Sequence, residues 1–384
     1  MGARRRPAPR LTASEGGPVL PRRRTLAALC ALFGVLALSS GCARTAPSPA
    51  RTAAAATGTD AAAFAAALRQ ASETGKAFRV PAGTYAVGGL SVPDGVTIVG
   101  AGKDVTWLKG ELTFGSNDVI SGLRIGDAGA SAVHNQAGAT GTTFERCRFR
   151  GGGGAAYTSV VDLGSGAPCS RVTFVQCDVE RNLGEEDDRD QGYNDVSILV
   201  RGEAQVRDIT FDGCHIGVTN DAPGGRTTGS PRFGLEAYDD PSTAAGRGWQ
   251  DITLRDCVFE AADRETADFS DTPTARSSGV LIEGCTFKGG GFADGSYRYT
   301  LNLEMPLRVV VHDNTFLRGE GSYGYVLNVT GRRDAGYTGP GAVFVDNLFD
   351  LDTDDGIPEV NGIPIVLEGD GNRFSGNTVR CQYG

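Results

Sequence analysis

The sequence predicts an all-β solenoid, a single domain of stacked coils covered at its N-terminal end by one short helix. Three observations predict it. A seven-residue phrase returns along the chain: Thr143-Phe144-Glu145-Arg146-Cys147-Arg148-Phe149, then Thr173 to Val179, Thr210 to Ile216, Thr253 to Phe259 and Leu281 to Phe287. Its keyed cysteine (Cys147, Cys177, Cys214, Cys257, Cys285) becomes Asn314, Asn347 and Asn377, at intervals of 30, 37, 43, 28, 29, 33 and 30 residues. Self-similarity at that period marks a repeat architecture. Apolar and polar residues also alternate within each copy, which is the period of a strand.

Coils stacked about 4.8 Å apart bring the keyed residues into one column, where asparagine amides can hydrogen-bond up and down as a ladder. This pattern, with Asn-Thr corners at Asn314 and Asn377, resembles the single-stranded right-handed parallel β-helix of the pectate-lyase-like superfamily. Members of that family open with a helix, a Pro-Ala-Gly-Thr-Tyr turn and a Gly-Val-Thr coil. Pro81-Ala82-Gly83-Thr84-Tyr85 and Gly95-Val96-Thr97-Ile98-Val99-Gly100 match. The resemblance runs from about Thr59 to the C-terminus. It implies the fold and a polysaccharide partner, and it is weak for activity.

In chain order, residues 1–42 read as an export signal. Arg22-Arg23-Arg24 precedes an uncharged run, Leu26 to Leu38, that is short for a membrane span. The ending Ser39-Ser40-Gly41-Cys42 resembles a bacterial lipobox, although the family prefers leucine where Ser39 stands. That resemblance implies cleavage before Cys42, a lipid on Cys42, and membrane contact through the lipid anchor only, with simple secretion or an uncleaved anchor as the alternatives. Residues 43–57, rich in Ala, Pro, Ser and Thr, form a flexible tether, and 58–384 the solenoid. Asp60 caps a helix carrying Phe64, Leu68 and Ala71 on one face, which covers the otherwise open edge of the first coil. The early coils are short. Later ones carry the insertions Leu183–Asp195 (with Glu185, Glu186, Asp187, Asp188 and Asp190), Thr219–Arg232 and Asp239–Gly248, and long loops on a rigid solenoid are where binding and chemistry usually sit.

Composition narrows the partners. Fifty-six glycines and two methionines suit a turn-rich β architecture. Residues 43–384 hold 30 basic and 45 acidic side chains, about −15 in all. Such a surface argues against nucleic acid, whose phosphates need a basic partner. An anionic polysaccharide would need a cation or an arginine cluster to bridge the charges. A monomer is expected. No cysteine or histidine spacing reads as a zinc site. The cysteine column reads as small buried thiols, with disulfides between some neighbouring coils left open.

Alternation in the third strand of each coil defines a candidate site. It turns Leu235, Ala237, Phe269, Leu303 and Val329 inward, and places Glu236, Asp268, Glu304 and Asn328 outward, one above another. Stacked carboxylates repel unless a metal, an arginine, a shared proton or a substrate compensates. Three readings follow: a Ca²⁺ site of Glu236, Asp268 and Glu304; an acid/base or nucleophile pair of a glycoside hydrolase; or a solvated acidic ridge paired with Arg201, Arg232 or Arg298. A polysaccharide lyase would also need a base, and Arg298, Tyr299 and Tyr238 flank the column. Asp239, Asp240, Arg232, Arg201, Asn302 and Asn328 complete the substrate-binding candidates. The resemblance brings no activity residue by residue. The polygalacturonase motifs (Asn-Thr-Asp, Gly-His-Gly, Arg-Ile-Lys), the pectate-lyase Arg-x-Pro-x-x-Arg segment and the epimerase Asp-Pro-His-Asp are all missing, and Tyr238-Asp239-Asp240-Pro241 does not replace the last. The expected function is therefore an exported polysaccharide-active protein, a lyase or hydrolase, with a non-catalytic carbohydrate-binding or adhesion solenoid as the alternative.

Overall fold

The computed structural model describes residues 61–152, 159–164, 167–180, 196–218, 233–238, 248–260, 265–270, 277–289, 298–304, 307–317, 324–330, 341–351, 365–367 and 371–380. The proposed signal, Cys42, the tether, Asp60 and the three long insertions lie outside these residues, apart from Gly248. Ala61–Thr74 is the helix, and it buries the expected face of Phe64, Leu68 and Ala71. Phe64 packs edge-on against Phe78, with ring centroids 5.0 Å apart, and so closes the first coil. Among the described residues no helix is long and apolar enough to cross a membrane.

Among the described residues every other regular element is a strand, apart from the single 3-10 turn Gly202–Ala204, and every pairing of these strands is parallel. The repeated phrase supplies the first two strands of each coil. In the first ladder Thr143, Thr173, Thr210 and Thr253 align on one face, while Phe144, Phe174, Phe211 and Leu254 align on the other. The phenylalanines stack in the core, with centroids 5.0 Å apart for Phe144–Phe174 and 4.7 Å for Phe174–Phe211. The second ladder stacks Phe259, Phe287, Phe316 and Phe349 in the same way. The long strand Thr106–Phe114 pairs with both Arg124–Ile125 and Val133–Asn135, so the second and third ladders begin as one sheet and then part. The result is a parallel β-helix, three strands to the coil, with its apolar core inside.

The corner between the first two ladders explains the polar pair of the phrase. The residue before each keyed position has positive φ: Arg146 50°, Gln176 51°, Asp256 50°, Asp313 58° and Asp346 55°, with glycine at Gly213, Gly284 and Gly376. Asp and Gly tolerate that left-handed conformation well. At Gly376 a Cβ would also lie 1.8 Å from Asp346 Oδ1, so a side chain there would have to displace that carboxylate.

The keyed column is a hydrogen-bonded spine. Asn347 Oδ1 accepts from the backbone N–H of Asn314 (3.0 Å), and Asn377 Oδ1 accepts from that of Asn347 (2.9 Å). The cysteines do the same more weakly: the backbone N–H of Cys214 lies 3.4 Å from Cys257 Sγ, and the Cys257 thiol donates to Phe211 O at 3.4 Å. All six described cysteines are free thiols, so no disulfide forms among them, and all six are buried.

Asp118 performs a comparable task in the early coils. Its carboxylate accepts from the backbone N–H groups of Val96 (3.0 Å) and Gly115 (2.8 Å). Burial pushes its pKa up to about 6, against the two backbone hydrogen bonds, and the charge of Asp94 adds to the rise. The folded state therefore holds this proton more tightly than the unfolded state, so the group stabilises most below pH ~4 and loses that contribution as pH rises through about 6. Urea titrations between pH 4 and 7 should show this slope in the wild type. Asp118→Asn should flatten it, and an unchanged slope would remove Asp118 as its source.

Candidate functional site

The third ladder runs from Val133–Asn135 through Val161–Leu163, Val196–Arg201, Phe233–Tyr238, Glu265–Ser270, Arg298–Glu304 and Gly324–Thr330 to Ile365–Leu367. Leu235, Ala237, Phe269, Leu303 and Val329 all lie in the core. Between them a column runs along the other face. His134 registers with Asp162, Asp162 with Leu199, Leu199 with Glu236, Glu236 with Asp268, Asp268 with Asn302, and Asn302 with Asn328. Glu236 and Asp268 are thus direct neighbours one rung apart.

Two expectations need correction. Glu304 does not stand above Asp268; it registers with Ser270 on one side and Thr330 on the other, and Asn302 takes the place in the column. The displacement is two residues. Because strand side chains alternate with period two, a shift of two keeps every residue on its expected face and escapes a reading by alternation. Nor is the column a solvated ridge: Glu236 is 3% exposed, Asp268 6%, Asn302 7% and Asn328 6%.

Hydrogen bonds order the column. Asn328 Nδ2 donates to Asn302 Oδ1 (2.7 Å), Asn302 Nδ2 donates to Asp268 Oδ1 (2.8 Å), and the Ser270 hydroxyl donates to the same oxygen (2.6 Å). Asp268 is thereby fixed in orientation, since one carboxylate oxygen takes two donors. A second, half-buried row runs alongside, formed by Arg201, Tyr238, Ser270, Glu304 and Thr330. Arg201 is paired with Asp162, Nε to Oδ1 at 3.1 Å and Nη2 to Oδ2 at 3.3 Å. At the N-terminal end His134 Nε2 lies 2.6 Å from Thr113 Oγ1, and its Nδ1 lies 2.7 Å from Glu111 Oε1.

The remaining candidates separate. Tyr299 has the strand parity of the core-facing Leu301 and Leu303, not that of Asn302, and is half-buried. Arg298 lies in the same strand, but its side chain falls outside the described residues, as do Arg232, Asp239 and Asp240 altogether. Lys288 sits on the second ladder, bound to Glu260 at 2.8 Å, beside His215. The sequence reading missed His134 and Asp162 as members of the column. Their signal is the alternation of Val133-His134-Asn135 and Val161-Asp162-Leu163, in which buried residues, apolar except for Asn135, flank the column member.

A calcium ion would need several oxygen ligands at one place. Among the described residues no three His, Cys, Asp or Glu side chains gather where a metal could sit, and the third carboxylate expected for such a set, Glu304, is off the column. What the arrangement offers is a pair of buried carboxylates about 4.8 Å apart along the solenoid, one of them held by neighbouring donors.

A different charged group occupies the second ladder and the strand before it. Glu180 is buried between Arg124 (2.7 Å) and Arg150 (3.7 Å), while Arg148 pairs with Asp178 at 3.0 Å. Trp107 lies under Arg124 and Lys109, with their charged groups 4.7 and 4.6 Å from its ring centroid. Burial raises the Glu180 carboxyl above its usual range despite the arginines. These cations are matched by carboxylates within their own cluster.

No protein-family model and no curated protein sequence matches the chain. Solved structures do. An alginate lyase from Paenibacillus sp. strain FPU-7 superposes with TM-score 0.51 at 15% identity, over 84% of this chain and 94% of that one. A tailspike protein of an Acinetobacter phage gives TM-score 0.49 at 12% identity, over 85% and 58%. The A-module of an Azotobacter vinelandii mannuronan C-5 epimerase gives TM-score 0.43 at 16% identity, over 85% and 97%. At these identities the likeness is one of fold.

Proposed function

We propose that this parallel β-helix protein is exported and acts on a polysaccharide, as a glycoside hydrolase whose reacting pair is Glu236 and Asp268. The observation that carries the proposal is the pair itself: two carboxylates, in register on adjacent rungs and buried on the outer face of one ladder. Two like charges side by side repel unless a metal, an arginine, a shared proton or a substrate compensates, and paired carboxylates of this kind recur at functional sites. Their one-rung spacing suits the roughly 5 Å separation of a retaining glycosidase. The alginate lyase with the same fold supports a glycan partner by analogy only.

In this reading Asp268, oriented by Ser270 and Asn302, attacks the anomeric carbon. A new C–O bond forms as the glycosidic C–O bond breaks, and Glu236 gives its proton to the departing oxygen. Glu236 then takes a proton from water, which displaces Asp268 and releases the sugar. A lyase is less well supported. It needs a base and a cation to hold the uronate carboxylate, and among the described residues the arginine of these rows, Arg201, is already engaged by Asp162. One observation favours a non-catalytic binding solenoid: the Asn328–Asn302–Asp268 hydrogen bonds also suit a purely structural ladder. The same proposal has residues 1–42 direct export and Cys42 carry the lipid, on the sequence features alone.

A panel of polysaccharides tests it, with retention, new reducing ends and unsaturated products scored separately. Reducing ends without unsaturated products are expected, and Glu236→Gln should lower their formation at least about a hundredfold while the melting temperature holds. Retention with no product from any polymer would leave the binding solenoid as the function.

A further inference from the structure

We infer a second active centre at the N-terminal end of the same face, one that hydrolyses carboxylic esters, with Thr113 as nucleophile, His134 as base and Glu111 as the group that orients the base. Two short contacts in sequence carry the inference. Thr113 Oγ1 lies 2.6 Å from His134 Nε2, and His134 Nδ1 lies 2.7 Å from Glu111 Oε1. A hydroxyl on one imidazole nitrogen and a carboxylate on the other is the arrangement that makes an ordinary alcohol nucleophilic. The pair Glu236 and Asp268 plays no part in it. His134 is three rungs from Glu236, through Asp162 and Leu199, roughly 14 Å at about 4.8 Å per rung.

Strand pattern builds the relay. In Thr106–Phe114, Leu112 and Phe114 are buried in the core, so Glu111 and Thr113 share the outer face two residues apart. Val133 also turns into the core, which puts His134 outward, and Thr113 and His134 are register partners on neighbouring coils. An imidazole one rung away therefore reaches both side chains. The carboxylate also selects the tautomer. Ionised Glu111 can only accept, so the hydrogen of a neutral imidazole sits on Nδ1, and Nε2 keeps the lone pair that takes the Thr113 proton. All three side chains are half-buried, within reach of an ester carried on the outside of a polymer. Ser91, exposed and in register with Thr113 on its other side, is placed to donate its hydroxyl to the carbonyl oxygen as that oxygen gains charge.

Thr113 Oγ1 attacks the ester carbonyl carbon, and its proton passes to His134 Nε2. The bond from that carbon to the alcohol oxygen then breaks, and His134 gives the proton to the departing alcohol. Water attacks the acyl-threonine in the second half, again through His134. The products are an alcohol, a carboxylic acid and the restored hydroxyl. On the glycan reading above, the ester is an acyl group on a sugar hydroxyl; the ester chemistry itself does not depend on that reading.

Para-nitrophenyl acetate tests the relay on the intact protein, with steady-state release of nitrophenol as one readout. Acid quenching, digestion and mass spectrometry give the other, the position of any acetyl group left on the chain. Turnover and an acetyl group on Thr113 are expected. Thr113→Val, which keeps the shape of the side chain without its hydroxyl, and His134→Gln should each lower kcat at least about a hundredfold. Thr113→Ser should keep turnover. Glu111→Gln should lower kcat about tenfold or more while KM holds, whereas a merely structural hydrogen bond would leave kcat unmoved. Should Thr113→Val fail to fold, acyl mapping on the wild-type protein still decides. Absence of turnover, an acetyl group found only on other side chains, or wild-type turnover in folded Thr113→Val overturns the inference and leaves these contacts as a surface hydrogen-bond network.

Discussion

Asp268→Asn should reduce glycan cleavage at least about a thousandfold while leaving the fold intact. The substitution keeps the size and shape of the side chain, and an amide oxygen can still accept from Asn302 Nδ2 and the Ser270 hydroxyl, which now meet at Asp268 Oδ1. What is lost is the charge and the nucleophilic oxygen. The three effects that matter therefore separate: turnover should collapse, retention of the polymer should persist in weakened form, and the melting temperature should stay or rise slightly, because one of two adjacent buried carboxylates has been neutralised. Measuring all three on one preparation decides the role. Turnover close to that of the wild type would remove Asp268 from the chemistry. A marked fall in melting temperature would assign it to the ladder as a structural acceptor instead.

Asn347→Ala should have the largest effect on stability, about 3–5 kcal/mol. Asn347 Oδ1 accepts from both the backbone and the side-chain amide of Asn314, and its Nδ2 donates to Val311 O and to Asn377 Oδ1, four contacts of 2.9–3.0 Å. Truncation takes the partner from the backbone N–H of Asn314 and removes the ties to Val311 O and Asn377 Oδ1, on the two coils that flank that of Asn347. Cys214→Ala, at the equivalent position of an earlier coil, should cost less, since a thiol is a weak donor and acceptor. Its contacts, to Phe174 O at 3.3 Å and to Asp212 O at 3.6 Å, leave less to lose. Denaturant midpoints for the two variants compare them directly. A loss below about 1 kcal/mol at Asn347 would mean that the spine does not hold the coils in alignment, and that the stacked phenylalanines do so alone.

The two variants probe different layers of the chain's legibility. The spine is written in the sequence: the keyed position recurs, a left-handed corner precedes it, and an apolar residue follows it in each copy. Those are local facts, repeated until they become a fold. The same locality assigned Leu235, Ala237, Phe269, Leu303 and Val329 to the core, because alternation names the face of a strand residue without reference to its neighbours. It brought Glu236 and Asp268 to one column for the same reason.

What the repeat could not decide is which residues of neighbouring coils lie side by side, and what is sheltered from water. Glu304 has the right face and the wrong rung position, because pairing between coils fixes the offset along the strand while alternation repeats every two residues. His134 joins the column through its register with Asp162, a pairing set by where each coil turns. The burial of Glu236 and Asp268, which makes them a candidate pair and not a solvated ridge, depends on what surrounds the outer face of the ladder. Coil, core and spine can be read from residue order, since each is a property of a single repeat. The site cannot, since its members meet across repeats, at distances governed by strand register and in surroundings that no one coil contains.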